Sequence, residues 1–153
     1  MLHSVMIALH VLAAVVWVGG MFFAYVMVRP AMAGLAPPDP VKMWGRIFEK
    51  FFSWVWLAIA ILLVSGFWML FGPYGGPASA PAYLHVMLLL GLVMTALFMH
   101  LYFAPWGRLK RALATEDYPT AAKQVPQIRR IVAINLVIGL LNVAIGAGGR
   151  YLI

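Results

Sequence analysis

The apolar stretch LHVLAAVVWVGGMFFAYVMVRPAM, residues 9–32, decides the fold of this chain. Its uncharged part is long enough to cross a bilayer as one helix, since a transmembrane helix needs about 20 predominantly apolar residues. An Arg-Pro pair, Arg29 and Pro30, ends the stretch, while His10 lies inside it. Ionisable residues within a membrane span are costly and usually functional. The stretch therefore predicts a transmembrane helix that carries a site.

The composition extends this interpretation to the whole chain. Of the 153 residues, 65% are hydrophobic and only 10% are charged, whereas soluble domains are about 25% charged. We predict one integral membrane domain over residues 1–153, with its first helix retained because no signal-cleavage pattern follows that helix. The absence of cysteine excludes disulfides, thiolate zinc sites, iron–sulfur clusters and c-type haem attachment.

Four stretches are long and apolar enough to span a membrane. We predict spans over residues 4–28, 42–71, 82–104 and 131–152, the second beginning with an amphipathic lead-in before its apolar part at 51–71. Asp39 is suited to cap that lead-in. The third connection, 106–130, is long, basic and interrupted by two prolines. The predicted fold class is an all-α, up-down-up-down four-helix bundle, with helices one and three parallel and diagonal.

The basic residues predict the orientation of this bundle. Ten of the eleven Lys and Arg residues flank the first and third connections, and only Arg150 does not. Because Lys and Arg concentrate in cytoplasmic loops, we expect these loops in the cytoplasm, both termini outside, and residence in a bacterial inner membrane. The net charge of +7 is thus explained by topology and anionic lipid, so we expect the bilayer and not nucleic acid as partner.

Two histidines occupy equivalent positions in the parallel helices. His10 lies twenty residues before Pro30, and His85 lies twenty before Pro105. Such residues are often hydrogen-bonded to a neighbouring helix and nothing more. Two imidazoles at one depth instead favour a shared ligand, and we predict that His10 and His85 coordinate the iron of a b haem.

Four further residues are assigned supporting roles at this haem. Trp17 is expected to line the cavity, and Gly20 to thin helix one beside it. Asn142, in a small-and-polar seam on helix four, or Ser65 on helix two, is placed to hold the second imidazole nitrogen. Arg150 either pairs with a haem propionate or extends to the interface.

Other residues indicate alternative sites. His3, Met6 and His10 share one face of helix one and make a plausible copper site, because imidazole and thioether suit copper. His100 is expected to point inward and, with Tyr25 at a similar level, forms a possible second site. It lies fifteen residues from His85, about 22 Å along a helix, so the two cannot share a metal.

The first helix resembles the opening of the copper-resistance D (CopD) domain family, and the layout is also similar to HemJ-type protoporphyrinogen oxidases. The residues that match the CopD family are His10, Trp17, Gly19, Gly20, Arg29 and Pro30. Those that match the HemJ-type oxidases are Phe48-Glu49-Lys50, Leu84-His85, His100 and Arg108. The resemblance implies a four-helix membrane core that binds haem b or copper. Met87 stands where the HemJ-type pattern has lysine, which makes protoporphyrinogen oxidation a weaker expectation.

Three functions remain open at this point. The first is a b-type haem membrane protein, in electron transfer or as an oxidoreductase, with a quinone or periplasmic redox partner. The second is CopD-like copper transport or copper binding. The third is a non-catalytic subunit of a membrane complex, in which the histidines are structural and helix four docks a partner or another copy of the chain. A haem absorbance band, copper without haem, or neither would distinguish them.

Overall fold

The computed structural model describes residues 1–151, which form four long helices and no strand. These are α1 (Leu2–Ala31), α2 (Asp39–Phe71), α3 (Ala82–Ala114) and α4 (Tyr118–Tyr151), each long and apolar enough to span a membrane. The predicted all-α class and the four spans are confirmed. The end of the predicted fourth span, Leu152, lies outside the described residues.

The four helices define two ends of the bundle. The basic end contains the connections at residues 32–38 and 115–117. The terminal end contains Met1, the connection at 72–81 and Tyr151. Because α1 and α3 both run from the terminal end towards the basic end, they are parallel, as predicted.

The third connection is mostly helical, and its interpretation as a long loop was wrong. α3 continues to Ala114 and α4 starts at Tyr118. Pro119 does not prevent this because it occupies the first helical turn, where its missing N–H leaves no helical bond unmade. The Asp117 carboxylate caps the helix by accepting from the Thr120 N–H at 3.2 Å. Hydrogen bonds from the Thr120 side chain and then from its backbone N–H lower the pKa of Asp117.

Two helices widen into π-helical turns near the basic end. These turns cover Phe23–Val28 in α1 and Tyr102–Trp106 in α3. The second contains Pro105, which cannot donate a backbone hydrogen bond. The first lies directly before Arg29 and Pro30. Such turns are rare and frequently occur at functional sites, so the basic end is a second candidate region for a site.

An aromatic cluster forms the core of the basic half. Phe52 of α2, only 1% exposed, lies at its centre. Its ring centroid is 5.2 Å from that of Phe48, 5.5 Å from that of Phe98 on α3 and 5.4 Å from that of Trp106. Edge-to-face and offset rings at such distances stabilise one another beyond their burial alone. This cluster therefore ties α2 to α3.

The small-and-polar seam on α4 consists of Asn135, Gly139, Asn142 and Gly146, and it packs on α3. Asn135 Nδ2 donates to the Met94 carbonyl at 3.1 Å, and Asn142 Nδ2 donates to the Met87 carbonyl at 3.3 Å. A Cβ built on Gly139 would lie 3.0 Å from the Met94 methyl, and one on Gly146 would lie 2.8 Å from that of Met87. The glycines therefore make room for the methionines.

The terminal half of the bundle packs much less tightly. No residue before Ala13 in α1 is buried, and none between Ala82 and Val93 in α3. In the corresponding part of α2 only Ser65 and Leu70 are buried. The helices at this end therefore enclose little core of their own.

Candidate functional site: a histidine between helices α1 and α2

His10 of α1 faces α2 at the level of Ser65. Its Nδ1 lies 2.8 Å from the Ser65 Oγ. A Cβ built on the adjacent Gly66 would lie 3.3 Å from the His10 Cε1, so the lack of a side chain at residue 66 leaves room for the imidazole. His10 is half-buried, whereas Ser65 is 1% exposed. The imidazole is therefore held against α2 by a buried hydroxyl.

The hydrogen bonds of Ser65 define which imidazole nitrogen carries the proton. A serine hydroxyl has one proton, and the Ser65 Oγ directs it to the Ile61 carbonyl at 2.5 Å. With its proton directed there, the Oγ can accept from His10, which favours the tautomer of the neutral imidazole whose Nδ1–H donates. The Nε2 atom consequently carries the lone pair. An imidazole oriented through Nδ1 with a lone pair at Nε2 is the usual arrangement of a metal-ligating histidine.

His3 and Met6 lie on the same side of α1 as His10. The His3 ring is 6.1 Å from the ring of Trp68, one turn along α2 from Ser65. The predicted face of His3, Met6 and His10 therefore faces α2. Met6, half-buried, is four residues from His10, a spacing that makes side chains neighbours on a helix. His3 and His10 are seven residues apart, about 10 Å along the axis, too far to bind one ion together.

His85 lies at the depth of His10 but faces away from it. A Cβ on Gly139 would touch both Val18 of α1 and Met94 of α3. Residues 18 and 94 therefore lie at similar levels, and the same offset of about 76 brings His10 and His85 to a similar depth. The His85 side chain is nevertheless exposed, and its Nδ1 donates at 3.2 Å to the carbonyl of Pro81, the residue directly before α3. Its Nε2 is thus also a lone-pair site.

The stripe that joins His85 to His100 lies on the outside of this chain. His85, Leu92, Ala96 and His100 are all exposed. The expectation that His100 points inward is therefore wrong, because the side of α3 that packs on α4 carries Met87, Gly91 and Met94 instead. The spacing correctly predicted a shared face but not which way that face turns.

The other predicted site residues are distributed along the bundle. Trp17 is buried edge-on against Phe98, at 6.2 Å. Gly20 provides the space occupied by the Phe51 ring. Asn142 bonds the Met87 carbonyl and not an imidazole, so Ser65 alone fills the proposed orienting role. Arg150 is exposed and donates to the Tyr151 hydroxyl.

Tyr25 pairs with Arg29 and not with His100. The Arg29 guanidinium lies 5.1 Å from the centre of the Tyr25 ring, and both residues line a pocket with Arg129 of α4. Sequence reasoning missed this convergence, because one hundred residues separate the two arginines and no motif links them. The only local signal was the Arg-Pro pair that ends the first apolar stretch.

A family model described as Copper resistance protein D matches residues 45–148. This segment comprises most of α2, all of α3 and nearly all of α4. The chain belongs to the Copper resistance protein D family. It is a multi-pass membrane protein related to copper resistance. No curated protein and no solved structure matches the chain significantly.

The family match covers the α2 side of the candidate site, including Ser65, but not the residues that α1 contributes. His85 and His100 lie inside the matched segment, whereas His3, Met6 and His10 precede it. Within residues 1–151, no cluster of three or more His, Cys, Asp or Glu side chains is placed to hold a metal ion.

Proposed function

We propose that this CopD-family protein binds cuprous ion through His10 Nε2 and the thioether of Met6. The observation that supports this most directly is the Ser65 hydroxyl on His10 Nδ1, since it orients the imidazole and leaves the Nε2 lone pair for a metal. Thioether and imidazole are soft and intermediate ligands that favour Cu(I). The protein would hold copper as cargo, for transport or sequestration in the membrane.

The charges around this site support a monovalent soft cation. All four acidic residues, Asp39, Glu49, Glu116 and Asp117, lie at the basic end. Hard divalent cations prefer carboxylate and other oxygen ligands, which the terminal half of α1 and α2 does not provide. A neutral His–Met pair therefore selects Cu(I) against calcium or magnesium.

A competition titration tests this proposal. Purified protein in mild detergent is titrated with Cu(I) against bicinchoninate. We expect one bound ion per chain, with the affinity lowered at least tenfold, about 1.4 kcal/mol, in His10→Ala and several-fold in Met6→Leu. Ser65→Ala, which loosens the imidazole, is expected to weaken binding, and Ser65→Thr, which keeps the hydroxyl, to restore it.

Matched controls separate the site from general effects. His100→Ala and Met27→Leu change exposed residues of the same types outside this face, and both are expected to bind Cu(I) as the wild type does. Wild-type protein that fails to compete with bicinchoninate, or equal losses in the control variants, would remove the proposal.

A b haem is the second candidate function, and two observations favour it. The terminal half of the bundle encloses little core at the level of His10, and His85 at the same depth also has its Nε2 lone pair free. His85 faces outward in this chain, so an iron bound by both histidines requires α3 to turn or a second copy to supply one of them. Bound haem would provide electron transfer, with a quinone or periplasmic redox partner.

Visible spectra distinguish this candidate from copper binding. A Soret band in protein expressed with haem supplementation, lost in both His10→Ala and His85→Ala, would support the haem. A colourless protein that binds Cu(I) would leave only copper.

We further propose that the basic end faces the cytoplasm of a bacterial inner membrane, because ten of the eleven Lys and Arg residues flank its two connections. The chain has no cysteine, so single cysteines report sidedness directly. In intact spheroplasts, a membrane-impermeant maleimide is expected to label Ser79→Cys in the connection at 72–81. Ala33→Cys at the basic end should react only after the cells are opened. The reverse pattern would contradict this topology.

A further inference from the structure

Met69 of α2 lies level with Met6 of α1, one helical turn from the contact between His10 and Ser65. The His10 Nδ1 is 2.8 Å from the Ser65 Oγ, and this contact fixes the register of the two helices. Because α1 and α2 are antiparallel, a step of four residues back from His10 and a step of four on from Ser65 lead the same way. Each step covers about 6 Å along the axis. The two methionines are therefore at one level, on the terminal side of the imidazole.

The neighbours of Met69 show that it lies on the side of α2 that faces α1. Ser65 contacts His10 directly, and a Cβ built on Gly66 would lie 3.3 Å from the His10 Cε1. Successive residues of an α-helix are turned by about 100°, which places Met69 between the directions of Ser65 and Gly66. Met69 is also half-buried, as expected for a side chain at a helix interface. The Met69 side chain is therefore directed towards α1.

Contacts on either side of Met6 show that it lies on the side of α1 that faces α2. Met6 is between His3 and His10 on one helix face. The His3 ring is 6.1 Å from the Trp68 ring, and His10 contacts Ser65. Both flanking residues of this face thus contact α2, and Met6 itself is half-buried. One thioether from each helix therefore lies at the interface of α1 and α2, a turn from the imidazole.

We propose that Met69 completes a three-ligand site with Met6 and His10, and that this site binds Ag(I) as well as Cu(I) but not Zn(II). This inference rests on the proposed binding of Cu(I) by Met6 and His10. Thioether ligands favour Cu(I), whereas zinc sites in proteins use thiolate, imidazole and carboxylate. Ag(I) has the charge and the filled d shell of Cu(I), and it also prefers sulfur. One imidazole and two thioethers are all neutral, so the site suits a soft monovalent cation.

The affinity of a leucine variant tests the role of Met69. Cu(I) binding is measured against bicinchoninate in Met69→Leu, a substitution that nearly conserves the side-chain volume but removes the sulfur. We expect the affinity to fall about tenfold, which corresponds to about 1.4 kcal/mol. Met43→Leu is the matched control, because Met43 is exposed on the same helix near the basic end. This control is expected to bind Cu(I) as the wild type does.

X-ray absorption at the copper K-edge counts the sulfur ligands of the bound ion. We expect two sulfur neighbours in wild-type protein loaded with Cu(I), and one in either Met69→Leu or Met6→Leu. Silver and zinc salts then test the selectivity, since Ag(I) is expected to displace Cu(I) and Zn(II) is not. Met69→His replaces the thioether with a second imidazole, and this variant is expected to gain Zn(II) binding, because imidazole is a common zinc ligand.

The outcomes separate the role of Met69 from the copper site itself. If Met69→Leu binds Cu(I) as tightly as the wild type and keeps two sulfur neighbours, Met69 is not a ligand, although a loss of affinity in His10→Ala still supports the copper site. Displacement of Cu(I) by Zn(II) at equal concentration would contradict the selectivity. If the wild type binds no Cu(I), both the site and its third ligand are refuted.

Discussion

Phe52→Ala is expected to destabilise the protein by about 2–4 kcal/mol, a large share of the stability of a small domain. Phe52 is 1% exposed and contacts the rings of Phe48, Phe51, Phe98, Tyr102 and Trp106. Each aromatic pair is worth about 0.5–1.5 kcal/mol, and truncation removes all of these pairs and leaves a cavity. The loss is smaller than for phenylalanine truncation in a soluble protein because, in a membrane, unfolding does not move the ring into water.

The measurement is reversible unfolding by sodium dodecyl sulfate in mixed micelles, followed by tryptophan fluorescence and circular dichroism. Phe23→Ala is the matched control, since Phe23 is 62% exposed and enters none of the ring pairs that join α2 to α3. Its cost is expected to stay below about 0.5 kcal/mol, as for other exposed substitutions. Equal losses in the two variants would mean that the aromatic cluster does not hold the basic half together.

Hydropathy and charge were sufficient to predict the four helices and their parallel or antiparallel directions. Each apolar segment is long enough to cross the bilayer on its own. A single segment can satisfy all its backbone hydrogen bonds in the bilayer core only as a helix. The helical extensions at the basic end escaped prediction because Pro119 and dense basic residues suggested a loop. Their amphipathic pattern, together with Asp117 at the N-cap, is the signal that would have indicated helix.

The candidate sites were harder to predict than the fold because the buried and lipid-facing sides of a membrane helix differ little in hydrophobicity. In water, the apolar face of a helix turns inward, so spacing alone assigns the buried side. In a bilayer both faces are apolar, and α3 presents Leu92 outward and Met94 inward with nothing in their chemistry to distinguish them. The sequence therefore grouped His85 with His100 correctly but could not orient them.

Contacts between residues on different helices depend on how the helices pack, which a local sequence pattern does not predict. Ser65 was recognised as being at the depth of His10, and the structure confirms their contact. That Arg29 and Arg129 line one pocket was not foreseen, because it depends on how α4 packs beside α1. Contacts of this kind follow from glycines that allow close approach, and Gly139 is the clearest example.

Gly139→Leu is the second substitution expected to have a large effect, about 1–3 kcal/mol of destabilisation, as for other overpacked sites. Gly139 is buried on α4, and a Cβ there would lie 2.9 Å from the Val18 Cγ2 and 3.0 Å from the Met94 Cε. The flexible end of Met94 can move, but Val18 is β-branched and has little rotamer freedom. A leucine must therefore push α4 away from both α1 and α3.

In Gly139→Leu, the movement of α4 away from α3 also weakens the hydrogen bonds on either side of residue 139. Asn135 and Asn142 donate to the Met94 and Met87 carbonyls, and their buried Oδ1 atoms have no partner within residues 1–151. Each amide thus depends on one interhelical bond, worth about 0.6 kcal/mol on average in a membrane. We expect Gly139→Ala to destabilise the protein less than Gly139→Leu, because one methyl group displaces α4 by a smaller distance.

Gly19→Leu is the matched control for this pair of variants. Gly19 is also in the interior of a transmembrane helix, but a Cβ there meets nothing within 4 Å. Replacing it should be neutral or slightly stabilising, since glycine is a poor helix former. All three variants are compared in the same detergent unfolding titration. If Gly19→Leu and Gly139→Leu lose stability equally, close packing at Gly139 is not what joins α4 to its neighbours, and the asparagine bonds carry that role instead.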